Sequence, residues 1–104
     1  MLRRRYEILL PLRHNDGRPV SDEALNQTRE ELVEHFDAVS VQPQSIQGIW
    51  MHEGVRYEDT SVKFIVDVDD TPENRQWFST WKGQLLVRFE QIEIYIASYP
   101  VDIL

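Results

Sequence analysis

Apolar and polar positions switch along the chain between a period of two and a helical period, and the order of those switches predicts its elements. Tyr6, Ile8, Leu10 and Leu12 fall on one face of an extended segment, with Glu7, Leu9 and Pro11 on the other. Pro11 has no N–H for a ladder, so pairing is expected to weaken there. Asn15-Asp16-Gly17 signals a turn, and Pro19 extends the loop. Ser21 then offers a hydroxyl to an orphan N–H of a first helical turn, and Asp22 and Glu23 suit the positive end of the helix dipole. Leu25, Thr28, Leu32 and Phe36 follow at helical spacing, flanked by Ala24 and Val33. They predict an amphipathic helix of about four turns.

Val39 to Met51 reads as extended, and Pro43 within it favours an edge strand. Glu53-Gly54 marks a bend, after which Val62, Phe64, Val66 and Val68 alternate with Lys63, Ile65 and Asp67. Thr71-Pro72-Glu73 starts a second helix: a capping hydroxyl, a proline with φ already set, and an acid at the dipole's positive end. Phe78, Trp81, Leu85 and Phe89 form its apolar stripe. Gly83 interrupts that helix, and close packing on the sheet is the expected reason. Ile92, Ile94 and Ile96 alternate with Glu93, Tyr95 and Ala97 in a last strand ending near Pro100.

The order β-α-β-β-α-β in 104 residues predicts one α+β domain over residues 1–104. Right-handed crossovers favour a ferredoxin-like sandwich, with a four-stranded antiparallel sheet, both helices on one face and the first and third strands central. The face left uncovered then carries Leu9, Ile65, Tyr95 and Ala97, with Ile49 and Met51 added from the second strand. A contiguous apolar patch of this kind marks a contact surface. The expected occupant is a second copy, two sheets stacking as a homodimer; scattered surface apolars with no occupant, a small-molecule pocket or an unknown protein partner are the other readings. Lys63 is expected to pair with Glu7, Asp67 or Glu93 on that face.

Composition narrows the chemistry. There is no cysteine, which removes disulfides, zinc–thiolate sites, iron–sulfur clusters and thiol catalysis. A formal net charge of −7 opposes nucleic-acid binding. A base-stacking sheet would need exposed aromatics on its central strands, whereas Tyr6 and Phe64 fall on the expected core face. Arg3, Arg4 and Arg5 read either as a solvated strand entry or as an anion contact. Met1-Leu2-Arg3-Arg4-Arg5 is basic, but Pro11 and Arg13 cut short the apolar run Ile8-Leu9-Leu10. Neither a signal peptide nor a membrane span is predicted, and a cytoplasmic compartment is expected.

The ferredoxin-like pattern covers the whole chain but hosts many functions. More narrowly, Tyr6-Glu7-Ile8-Leu9-Leu10-Pro11-Leu12, Gly48-Ile49-Trp50, Tyr57-Glu58-Asp59 and Tyr99-Pro100-Val101 resemble a group of short bacterial proteins of ferredoxin-like type with no assigned activity. The resemblance implies a bacterial cytoplasmic origin and no mechanism.

The densest cluster of chemically useful side chains is Trp50-Met51-His52-Glu53 with Arg56-Tyr57-Glu58-Asp59. His52 suits a general base, Glu58 or Asp59 an orienting group, and Tyr57 a proton donor. His52 with Glu53, Glu58 or Asp59 would also offer ligands to a divalent metal, but the spacing matches no ligand motif, and no metal or cofactor is expected. A solvated polar hairpin, with Trp50 as a packing residue, is the favoured reading of the same segment. His14 and Asp16 are ordinary turn residues, and His35 sits where a cation suits a helix end. Trp77, Phe78 and Trp81 read as core packing, with Trp77 at its margin. The glycines are scattered, so no phosphate-cradling loop is present, and no Gly-x-Ser-x-Gly occurs. Two functions follow: a homodimeric interaction or ligand-sensing module, or a cofactor-independent small-molecule enzyme of the dimeric α+β barrel type using His52, Tyr57 and Asp59.

Overall fold

The computed structural model describes residues 2–104; Met1 lies outside them. The elements are β1 (Arg3–Pro11), α1 (Asp22–Phe36), β2 (Ser40–His52), β3 (Val55–Asp69), α2 (Pro72–Arg88) and β4 (Ile96–Val101). Both helices start where the sequence offers a cap. Ser21 Oγ accepts the Ala24 N–H, and Thr71 Oγ1 accepts the Asn74 N–H, each at 3.1 Å. Helix α1 stops at Asp37, which takes φ 65° and returns its N–H to the Val33 carbonyl.

The strands form one antiparallel sheet in the order β2-β3-β1-β4, with β1 and β3 in the centre. Their register sets Tyr6 opposite Val66 and Ile8 opposite Phe64 on the face that both helices cover. Leu32 of α1 and Phe78, Trp81 and Leu85 of α2 complete this core. Tyr6 stacks on Phe78, and Phe78 in turn stacks on Phe36. Tyr6 and Phe64 are thus buried, and no base-stacking platform forms from them.

Three boundaries differ from the sequence reading. Strand β1 begins earlier, at Arg3, because Arg3, Arg4 and Arg5 reach Asp69, Asp70 and Asp67 at 2.6, 2.9 and 2.8 Å. Strand β4 begins later, at Ile96, and runs through Pro100. The Ile94 N–H that a ladder would have used goes to the Glu93 carboxylate at 2.9 Å, and Lys82 holds that carboxylate at 2.7 Å. Ile94 is buried all the same, so the alternation there reports burial without pairing. An edge position lets β4 tolerate Pro100. Third, β3 starts at Val55, and its first residues pair only with β2, forming a ribbon that runs on past β1.

Gly83 also departs from expectation. A Cβ built there meets nothing within 4 Å, so close packing is not its reason. Among the described residues no helix is long and apolar enough to cross a membrane.

Candidate functional site: a cleft at the root of the β2–β3 ribbon

Cross-strand pairs share a face, so register decides which side chains meet on the uncovered side of the sheet. Glu7 pairs with both Ile65 and Ala97, and Leu9 pairs with Lys63. The Leu9 N–H donates to the Tyr95 carbonyl at 3.0 Å, which sets Tyr95 beside Leu9 at the end of the β1–β4 pairing. Leu9, Ile65, Tyr95 and Ala97 therefore lie on one face. Ser40 and Gln42 of β2 join it opposite Ile65 and Lys63. Four steps of β2 from Gln42 to Ile46 then match two of β3 from Lys63 to Ser61. Because the excess is even, Ile46, Gly48, Trp50 and His52 stay on the uncovered face, opposite Ser61, Asp59, Tyr57 and Val55.

That register corrects one expectation. Ile49 and Met51 pair with Glu58 and Arg56 on the opposite face from Leu9 and Ile65, although Ile49 still borders the cleft that Leu9 lines. Both are exposed, because the ribbon has run beyond the cover of the helices. Apolar character alone cannot assign a face where neither face is buried.

Along the body of the sheet, away from the ribbon, charges on the open face are paired within the chain. Arg3 faces Asp69, Arg5 grips Asp67 with two contacts at 2.8 and 3.0 Å, and Lys63 meets Glu7 at 3.0 Å. Hydrogen bonds from Arg5 and Lys63 hold the Asp67 and Glu7 carboxyls below the usual carboxylate range, against the opposing effect of partial burial. Each member of the arginine trio has an aspartate partner, which weighs toward the strand-entry reading of the cluster.

At the root of the ribbon this face opens into a cleft of about 290 Å³. Its apolar walls are Leu9, Pro11, Ile46, Ile49, Trp50, Ile94 and Tyr95. The Trp50 ring stacks on Tyr57, with centroids 4.5 Å apart and planes 18° from parallel, and its Nε1–H donates to Asp59 Oδ2 at 2.5 Å. Tyr57 and Asp59 thus share one ribbon face and meet the same indole. His52 shares that face but stands outward: its ring is 6.2 Å from Trp50, and its nearest carboxylate is Glu53 at 3.8 Å. Trp50, a packing residue by its sequence context, is the group that organises the site. Ser61, Gln91 and Glu93 also line the cleft. Ser61 and Gln91 carry no recognisable signal in the sequence; Glu93, expected on this face as a partner for Lys63, sits in the loop before β4 and pairs with Lys82 instead.

The other histidines fall elsewhere. His14 Nδ1 lies 3.2 Å from the Phe89 carbonyl, and His35 stacks on Trp77 at 4.6 Å. Among the described residues no group of three or more His, Asp and Glu side chains is placed to hold a metal. Glu58 and Asp59 illustrate why: as neighbours on a strand they point to opposite faces.

The fold places the chain among ferredoxin-like α+β sandwich proteins. No family model and no curated protein matches its sequence. Among solved structures it is similar to the CutA1 divalent cation tolerance protein of Thermus thermophilus, with 19% identity over 95% of this chain and 84% of that one, at a TM-score of 0.63. CutA1 of Oryza sativa matches with 12% identity over 98% of this chain and 82% of that one, at 0.64. A phage SAM lyase solved with S-methyl-5'-thioadenosine matches with 13% identity over 95% of this chain and 88% of that one, at 0.67. At such identities the likeness is one of fold.

Proposed function

We propose that the protein is a self-associating, ligand-sensing module whose ligand site is the cleft beside Trp50. The observation that carries this reading is the open sheet face. Leu9, Ile65, Tyr95 and Ala97 share it, and Arg5, Asp67, Glu7 and Lys63 are already paired there. A second copy can cover that part of the face, away from Asp59 in the ribbon, without stranding a charge. The simplest assembly is a homodimer of stacked sheets, and a cytoplasmic site of action fits a chain without cysteine. The phage SAM lyase complex supports a ligand role, since it is a protein of this fold holding a small molecule. The divalent-cation role named for the CutA1 proteins finds no three-ligand cluster among the described residues of this chain.

Light scattering tests the assembly. The wild type should run as more than one chain, and Ile65→Glu should give a folded monomer. An unchanged mass in that variant would sink the interface. For the cleft, a thermal-shift screen against metabolites should show a stabilising ligand whose effect is lost in Trp50→Ala.

One observation favours a second reading: His52, Tyr57 and Asp59 share a ribbon face. In it the protein is a cofactor-independent small-molecule enzyme of the dimeric α+β barrel type. The Trp50 N–H on Asp59 and the outward position of His52 weigh toward binding. Turnover of a bound ligand that disappears in His52→Ala would decide for catalysis.

A further inference from the structure

The cleft offers carboxylate and amide oxygens that only accept, with the hydroxyls of Ser61 and Tyr95 able to do either. Asp59 gives Oδ2 to Trp50, and its Oδ1 has no hydrogen-bond partner in the described chain. The Gln91 amide faces the Phe89 carbonyl at 3.2 Å; a carbonyl only accepts, so the amide nitrogen points there and the amide oxygen is left over. Ser61 and Gln91 are almost fully buried, yet neither leaves an occluded polar atom without a partner. Their free oxygens therefore look into the open space beside them. Glu93 is the other carboxylate at the rim, and Lys82 neutralises it. Among the described residues no lysine, arginine or histidine lines the cleft.

Resting on the reading of the cleft as a ligand site, we infer that its ligand is a planar apolar amine: a flat ring system bearing a protonated or N–H-rich end. The ring lies among Leu9, Ile46, Trp50 and Tyr95, and the amine meets Asp59 Oδ1 and the Gln91 amide oxygen. A phosphate ester or a carboxylate of the same shape would find no cationic donor, only the hydroxyls of Ser61 and Tyr95, and would face Asp59 at close range. The volume is at the small end for ligand pockets, which limits the ligand to a compact molecule.

Tryptamine and indole-3-acetate test this, because they share a ring and differ in the sign of the charge. Calorimetric titration of the full-length wild-type protein at pH 7 should show tryptamine binding about tenfold or more tighter than indole-3-acetate. Asp59→Asn keeps an oxygen for the Trp50 N–H and removes the charge, so it should erase that preference. The comparison on wild-type protein stands even if the variant folds poorly. Equal binding of both compounds overturns the inference and leaves a ligand cleft without charge selection. Binding of neither overturns the inference and removes the cleft reading with it.

Discussion

Arg88 at the end of α2 grips Glu31 of α1 with both arms of its guanidinium, Nη1 to Oε1 and Nη2 to Oε2, each at 2.8 Å. The same Nη1 reaches Thr28 Oγ1 at 2.9 Å, and Trp81 Nε1–H donates to Glu31 Oε1 at 2.8 Å. The two helices are thus joined by a charged bracket over the edge of the core. Burial works against the Glu31 charge, but hydrogen bonds from Arg88 and Trp81 outweigh it and hold the carboxyl below its ordinary range. A group whose pKa is lowered on folding adds stability above its unfolded value, about 4.3, and loses it as pH falls through the folded value. Glu31→Gln should therefore cost about 1–3 kcal/mol in urea denaturation at pH 7. The gap from wild type should narrow below about pH 4. A gap independent of pH would show that the bracket works through shape and not charge.

Gly83 lies inside α2 with open space where a Cβ would go and without a positive φ. Gly83→Ala should raise stability by about 1 kcal/mol through helix propensity and a less flexible unfolded chain. In a thermal melt this amounts to a rise of about 4–8 °C. A lower melting temperature would mean that another molecule packs on this helix where the glycine lies.

Trp50 and Tyr57 provide a test of the ribbon in solution. Their stack should give a coupling of about 0.5–1.5 kcal/mol in a double-mutant cycle of Trp50→Ala and Tyr57→Ala. Additive effects would mean that the rings do not meet.

The caps of the two helices should be equivalent. Ser21→Ala and Thr71→Ala each remove one side-chain acceptor from a first turn and should each cost about 1 kcal/mol in denaturant melts.

The legible parts of this protein are those where burial and local geometry agree. Ser21 and Thr71 announce the helices, and the alternation from Tyr6 and from Val62 marks the two central strands because one of their faces is covered. At Ile94 burial imitates a strand, while the backbone N–H is satisfied by the Glu93 side chain. The ribbon is harder. Beyond β1 both of its faces meet solvent, so the choice between Trp50 and Met51 for the open face depends on register alone. Tyr57 and Asp59 stand out in the sequence by their chemistry. Their alignment with Trp50 depends on pairing that no local pattern encodes.

The irregular segment of β2 between Gln42 and Ile46 holds the strand to a reading frame of two. Loss or gain of a single residue among Pro43, Gln44 and Ser45 would turn the distal ribbon over, bringing Met51 onto the cleft face and sending Trp50 out the other side. Paired insertions or deletions would leave every side chain beyond Ile46 on its present face. Length variation at this point of the chain is therefore expected in even steps, and an odd step would mark a protein whose cleft has been rebuilt from different residues.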